Sequence, residues 1–536
     1  MSTLLVLLAG AVNGQEVKPG HIGPQVAPGK TGPARFVGPI YEHFDTKAAL
    51  ATLSFVDGFY RAPGNEGYNA CIDHLRSRLE AAGFGTKPGF ELEEIVTPMR
   101  APAWTPRSAS LEVLLPDGEA IVLHSFKEAT DVDRVMLPVN APSADLEGVL
   151  VFNSADVREG TIFVSETNVG GGTIGRLAKQ GALAVISAGI EGFTRDPSGG
   201  DEHLDAIQFR TVSRSVRLPV LQISQRSYGK LGVLANEHGE LRLRIRAEVE
   251  FTETSLRTLV ARIIGGQKPD EIIAMASHVQ EPGAGDNASG VAGLCAAALA
   301  LEEALSKGEL ARPARSLAFI WGDEMQQSAI WLKHNQRKVI AGISADMLGQ
   351  SASRTGAICL LEREPDPGAL DTLPPDKHTP WGAGVVKESQ LRPSALSLIA
   401  RIALVDVATL VGGWATSENP WEGGSDHDIF LARDIPGILI WHFTDFTYHT
   451  GLDRLDRLDS EELRRSATAI LCTALAVADL RRADLERIRA SNALELDLRV
   501  QSALTAERPD IAKRWREWCQ GVELWLSVVC TEPEED

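Results

Sequence analysis

The sequence predicts an α/β protein: a mostly parallel sheet sandwiched by helices, with a smaller α/β domain inserted into it. Three observations predict this. From about residue 255, four apolar strand candidates alternate with helical stretches: EIIAMAS (271–277), SLAFIWG (316–322), GISADML (342–348) and GILIWH (437–442). Strands alternating with helices favour parallel pairing with both sheet faces covered. A second, shorter alternation runs from 127 to 250, and 536 residues are too many for one ordinary core.

Taken in order, Leu4–Val12 resembles the apolar stretch of a secretory signal, followed by small residues but not preceded by Lys or Arg. Residues 1–14 are expected to be a signal peptide, with export to the periplasm or medium. Residues 15–40, rich in Gly, Pro and Lys, read as a linker. Residues 41–126 form the N-terminal part of the main body. YNACIDHLRSRLEAAGF has helical spacing and a terminal Gly, and LEVLLPDGEAIVLHSF reads as a hairpin turning at Asp-Gly.

In the insert, 127–250, GVLVFN, LAVISAG and LPVLQIS read as short strands and GGTIGRLAKQGA as a turn and helix. Residues 251–485 complete the main body, with helices expected at Ser289–Ser306, Gln327–Lys338, Ser394–Val411 and Ser460–Leu480. Residues 486–536 read as a charged helical extension, suited to a helical hairpin or a homodimer contact.

The net charge of −19 argues against nonspecific nucleic-acid binding, which needs a basic face. No run of about 18 apolar residues predicts a membrane span. Six Cys do not make a disulfide scaffold. Cys71, Cys295, Cys359 and Cys472 fall in segments that read as buried, while Cys519 and Cys530 are close enough in sequence to pair in an exported protein.

Sites in open α/β sheets form beyond the carboxyl ends of the strands. There the sequence places His278 and Asp286 after the first strand, Asp323 and Glu324 after the second, Asp346 at the end of the third and His449 after the fourth. Any one of these has a plain structural explanation, such as Asp-Asn capping a helix. Imidazoles and carboxylates converging on one rim repel unless a cation lies among them. Nitrogen and oxygen donors without thiolate suit zinc, and cobalt or manganese less firmly. Five ligands with one bridging carboxylate are enough for two ions.

The set His278, GAGDNASG (283–290), WGDE (321–324), SADML (344–348), SDH (425–427) and YHTGLD (448–453) resembles the di-zinc exopeptidases that include secreted bacterial aminopeptidases and glutamate carboxypeptidase. The resemblance covers about 255–480, and RAPGNEGY (61–68) extends it. RLAKQGALAVI and LPVLQIS make 127–250 similar to the protease-associated insert domain of that family.

The resemblance implies a zinc exopeptidase-like fold and two zinc ions per chain. His278 and Asp346 would hold one ion, His449 and Glu324 the other, and Asp286 both. It further implies a cis Asp286–Asn287 peptide, Asp323 as general base and Tyr448 as oxyanion donor. The implied reaction is hydrolysis of a terminal peptide bond through a metal-bridging hydroxide, most simply by an aminopeptidase acting on a peptide or small amide. The alternatives are a weakly active or inactive binding protein on a peptidase scaffold, and glutaminyl cyclase-like acyl transfer.

Two residues depart from the family pattern. Gln280 replaces an Asp that supports the first imidazole, so its amide oxygen is expected to take that hydrogen bond. Asp323 replaces a Glu, and its shorter reach of about an ångström could cost on the order of a hundredfold in rate. MQQSAIWL, after Glu324, lacks the family's Gly-rich continuation. Asp426 and His427 are expected to support the site, and Asp453 to pin its loop. Substrate selection is expected in loops such as 350–393.

Overall fold

The computed structural model describes residues 29–376, 384 and 386–532. The expected signal segment and the first part of the expected linker lie outside the described residues. The rest of that linker is not extended: Ala34–His43 is a helix that buries Phe36, Val37 and Ile40. Those three share one helical face, and that periodicity outweighs the Pro and Gly around it.

Strand β1 (Phe90–Pro98) belongs to the larger of two sheets. β2 (Ala103–Leu114), β3 (Ala120–Phe126), β4 (Ala144–Val151), β5 (Thr161–Ser165), β6 (Ala184–Ser187), β7 (Val220–Gln222) and β8 (Arg242–Thr252) form the smaller sheet. β9 (Ser255–Ile263), β10 (Lys268–His278), β11 (Arg315–Gly322), β12 (Lys338–Ala345), β13 (Ile358–Glu362), β14 (Thr416–Asn419) and β15 (Gly437–Phe443) complete the larger one. Its order is β1-β9-β11-β10-β12-β15-β13-β14.

The sheet is mixed. β11, β10, β12 and β15 run parallel at its centre, while β9 pairs antiparallel with β11 and β1, and β13 antiparallel with β15. The central strands read clearly in the sequence because they are buried on both faces; every residue of β11 and β15 is buried. β14, the short strand TSEN at one edge, has no such apolar run.

The smaller sheet has its own apolar core, built on Leu111, Ile162, Ile186, Leu221, Leu243 and Ile245 among others. It begins at Ala103, not at 127. The long strand β2 pairs with β8 from Ala103↔Thr252 to Leu114↔Arg242, which draws the hairpin of 103–126 into the inserted unit.

Ala288–Ser306 is the central helix. Its first turn lies against the end of β12, where a Cβ on Gly290 would sit 2.6 Å from the Ala345 carbonyl oxygen. Glycine permits that approach. The helix after Glu324 spans Gln326–His334, shorter than expected, because β12 already begins at Lys338.

At the C-terminus, helices Arg482–Thr505 and Pro509–Val529 pack against each other and against the body. They bury a charge network. Arg401 bonds Glu418 (2.8 Å) and Glu495 (3.2 Å), and Asp376 joins Arg499 (2.6 Å) to Arg363 (2.9 Å). All six cysteines are free. Cys519 lies in the last helix and Cys530 caps it; eleven residues of helix separate them by about 16 Å, beyond the reach of a disulfide.

Candidate metal centre

Every residue of β10 from Ile272 onward is buried, and the strand delivers His278 to its carboxyl end. The imidazole is fixed by its own chain: Nδ1 lies 3.2 Å from the Gln280 carbonyl oxygen. With Nδ1–H donating there, Nε2 is left to face the carboxylates. It stands 3.1 Å from Asp346 Oδ1, 3.5 Å from Asp286 Oδ1 and 3.8 Å from Glu324 Oε1. The Ser425 hydroxyl donates to the other oxygen of Asp346 at 2.9 Å.

Gln280 therefore supports His278 by its backbone and not by its amide, as the sequence suggested. Its side chain goes elsewhere. Oε1 accepts the Glu324 backbone N–H at 2.7 Å, and Nε2 lies 3.4 Å from Glu324 Oε2.

Asp286 sits on the turn into the central helix, which Asn287 caps by accepting the Gly290 N–H. The Asp286–Asn287 peptide is cis. Asp453 pins the turn, accepting the N–H groups of Gly285 (2.6 Å) and Asp286 (2.8 Å). Arg61 grips the same loop through the carbonyls of Val279 (2.8 Å) and Gly283 (2.7 Å).

His449 Nε2 lies 3.0 Å from Asp286 Oδ2 and 2.8 Å from Glu281 Oε2. Asp286 thus presents one oxygen to each imidazole. The carboxylate beside His449 is Glu281 and not Glu324, as the resemblance implied. Glu281 stands three positions after His278, in QEPGAGD, and its carboxylate is the signal in the sequence for this site. The His449 backbone is held from outside the main body. Its carbonyl oxygen accepts the Phe209 N–H (2.6 Å) and the Gln208 side-chain amide (2.8 Å), both from the inserted unit.

Tyr448 lies on the cavity wall, its ring stacked on that of His449 with centroids 3.9 Å apart. Burial and then the carboxylates of Asp286 and Glu281 keep its phenol protonated, well above its usual range. Asp323 is not on the wall. It is buried, accepts a hydrogen bond from the Gln326 amide, and is pushed up to about 7, chiefly by burial. A carboxylate one methylene shorter stays under the loop.

Asp426 organises that rebuilt loop, accepting from Met325 N, Ser328 Oγ and Gln327 Nε2 at 3.2, 2.6 and 2.7 Å. His427 bonds Glu362 at 2.9 Å, and Glu362 in turn takes the Gly423 N–H at the cavity edge.

The donors fall into two trios that share Asp286: His278–Asp286–Asp346 and Glu281–Asp286–His449. Within each trio the ligand atoms all lie within 4.8 Å of one another. Two ligands each about 2.0 Å from a tetrahedral zinc stand about 3.3 Å apart. The Nε2–oxygen distances given above for the two trios bracket that value. Burial, followed by Glu281 for Asp286 and by Asp346 for Glu324, pushes both carboxylates well above their usual range. No Lys or Arg is among the described residues lining the cavity. Acids so crowded, with two imidazoles and no resident cation, fit a metal centre.

Residues 258–365 match the profile of peptidase family M28. An aminopeptidase of Pseudomonas aeruginosa is 23% identical over 325 residues, 56% of each chain, so the match spans little more than half of that relative. Two solved structures share the fold. A zinc aminopeptidase from Bacillus subtilis is 14% identical (TM-score 0.52; 81% of this chain, 96% of that one). A peptidase M28 precursor from Shewanella amazonensis is 17% identical (TM-score 0.53; 83% and 97%). The M28 match contains His278, Glu281, Asp286, Glu324 and Asp346, and the chain shares the α/β fold of those two structures.

Proposed function

We propose that the protein is a zinc-dependent exopeptidase that removes the N-terminal residue of a peptide. The observation that carries the reading is the pair of donor trios sharing Asp286 on one cavity of about 270 Å³. Two bound zinc ions would lower the pKa of water and polarise the scissile carbonyl.

The chain's own groups supply the rest. Outside the donor trios and Glu324, the cavity wall carries one further acid, Glu422, beside apolar Met347, Leu439 and Trp441. Such a wall accepts an α-ammonium and repels a terminal carboxylate, which supports an aminopeptidase over a carboxypeptidase. The attacking water needs a carboxylate to take its proton. Glu324 lies on the wall and outside both trios, whereas Asp323 is off it, so the base is assigned to Glu324. The protonated Tyr448 phenol is the wall's candidate donor to the developing oxyanion.

The test is a panel of aminoacyl anilides with free and blocked amines. Expected are hydrolysis of the free-amine compounds only and its loss on chelation. Asp323→Asn should keep at least half of the wild-type rate. Metal bound without turnover on any substrate would favour the binding-protein reading, which the buried position of Asp323 motivates. Protein that takes up no zinc would end the metallopeptidase reading.

The apolar segment Leu4–Val12 supports export, and cell fractionation tests it. The separate core of 103–252 supports a protease-associated-type insert. Leu494, Leu498, Leu524 and Val528, exposed on the last two helices, support pairing of two chains there, which sedimentation tests.

A further inference from the structure

We infer that Glu281 is the carboxylate that completes the second metal position, with His449 and Asp286, and that Gln280 keeps Glu324 out of that position. The inference rests on the metallopeptidase reading and deepens it. Glu281 Oε2 is 2.8 Å from His449 Nε2. The trio Glu281–Asp286–His449 is self-contained within 4.8 Å, and Glu324 belongs to neither trio.

The backbone agrees. Glu281 has φ +83° and His449 φ +55°, conformations that side chains other than glycine seldom adopt. Left-handed backbone at a long acidic residue is strained and persists where surrounding contacts enforce it. Here it turns Glu281 back into the cavity instead of out along the loop. The loop is clamped on either side: Arg134 bonds the Pro282 carbonyl, and Arg61 those of Val279 and Gly283.

Gln280 supplies the complementary half. Its amide spans the backbone N–H and the carboxylate of Glu324, holding that acid toward His278. An Asp at 280 would repel Glu324 where Gln can donate to it. The neighbouring residues Gln280 and Glu281 therefore act together, one placing a ligand and the other restraining its competitor.

The experiment is zinc titration of the dialysed full chain by calorimetry, with metal content by mass spectrometry, for wild type, Glu281→Gln and Glu324→Gln. Expected are two ions for wild type, one ion or a tenfold or greater loss of affinity at one site for Glu281→Gln, and two ions for Glu324→Gln. Two ions at wild-type affinity in Glu281→Gln, with one lost in Glu324→Gln, would overturn the assignment. Wild type binding no zinc would instead sink the metallopeptidase reading itself. If Glu281→Gln does not fold, Glu281→Asp serves: one weakened site is expected, and an unchanged titration refutes the inference.

Discussion

The two ends of the candidate metal centre are built differently. At one end His278 and Asp346 follow adjacent parallel strands, and the His278 side chain is 2% exposed. The other end rests on loops: Glu281 and His449 both sit in left-handed backbone, and the His449 side chain is 29% exposed. The sheet fixes the first end by its own register. The second is fixed by contacts that reach across from the inserted unit. Geometry inherited from a sheet is hard to perturb, whereas geometry assembled from loops depends on each clamp.

That contrast can be tested by four substitutions. His278→Ala, at the sheet end, should lose one zinc and at least a hundredfold in hydrolysis; retention of both ions would refute the strand-end site. Asp453→Asn weakens the anchor of the shared turn, so it should lower zinc affinity at both positions by about tenfold to a hundredfold, the range for partners that orient a ligand. Calorimetry showing an effect at only one position would contradict the proposal that Asp286 serves both.

Gln208→Ala removes one of two donors to the His449 carbonyl. It should weaken only the loop end, by about threefold to tenfold in zinc affinity, since the Phe209 N–H remains. Equal losses at both ends would erase the distinction between them. Ser425→Ala removes one hydrogen bond from Asp346 at the rigid end. Its effect should be the smallest, about threefold or less, and confined to the first position. A larger loss than for Gln208→Ala would reverse the comparison.

The same contrast explains what could be read from the sequence. β10, β11, β12 and β15 are continuous apolar runs, and the residues ending or following them, His278, Glu324 and Asp346, were visible because strand termini define the rim. β13 and β14 escaped notice because a short edge strand such as TSEN has no hydrophobic period. Glu281 was missed for a related reason. Its direction comes from a positive φ imposed by Arg61 and Arg134, residues more than a hundred positions away. Asp323 was placed by its neighbour in sequence, but its side chain answers to Gln326 and to burial. The boundary of the insert was misplaced because β2 alternates like an independent hairpin, and only its pairing with β8 assigns it to the smaller sheet.

The charge network under the last two helices bears on how the chain can be trimmed. Glu495 and Arg499 supply counter-charges to Arg401 and Asp376 inside the fold. Cutting the protein before residue 482 would leave Arg401 with Glu418 alone and Asp376 with Arg363 alone, and would uncover the apolar core that the two helices close. The terminal helices are therefore a plug and not a tail, and a shortened version designed for crystallisation or display should be expected to come out insoluble.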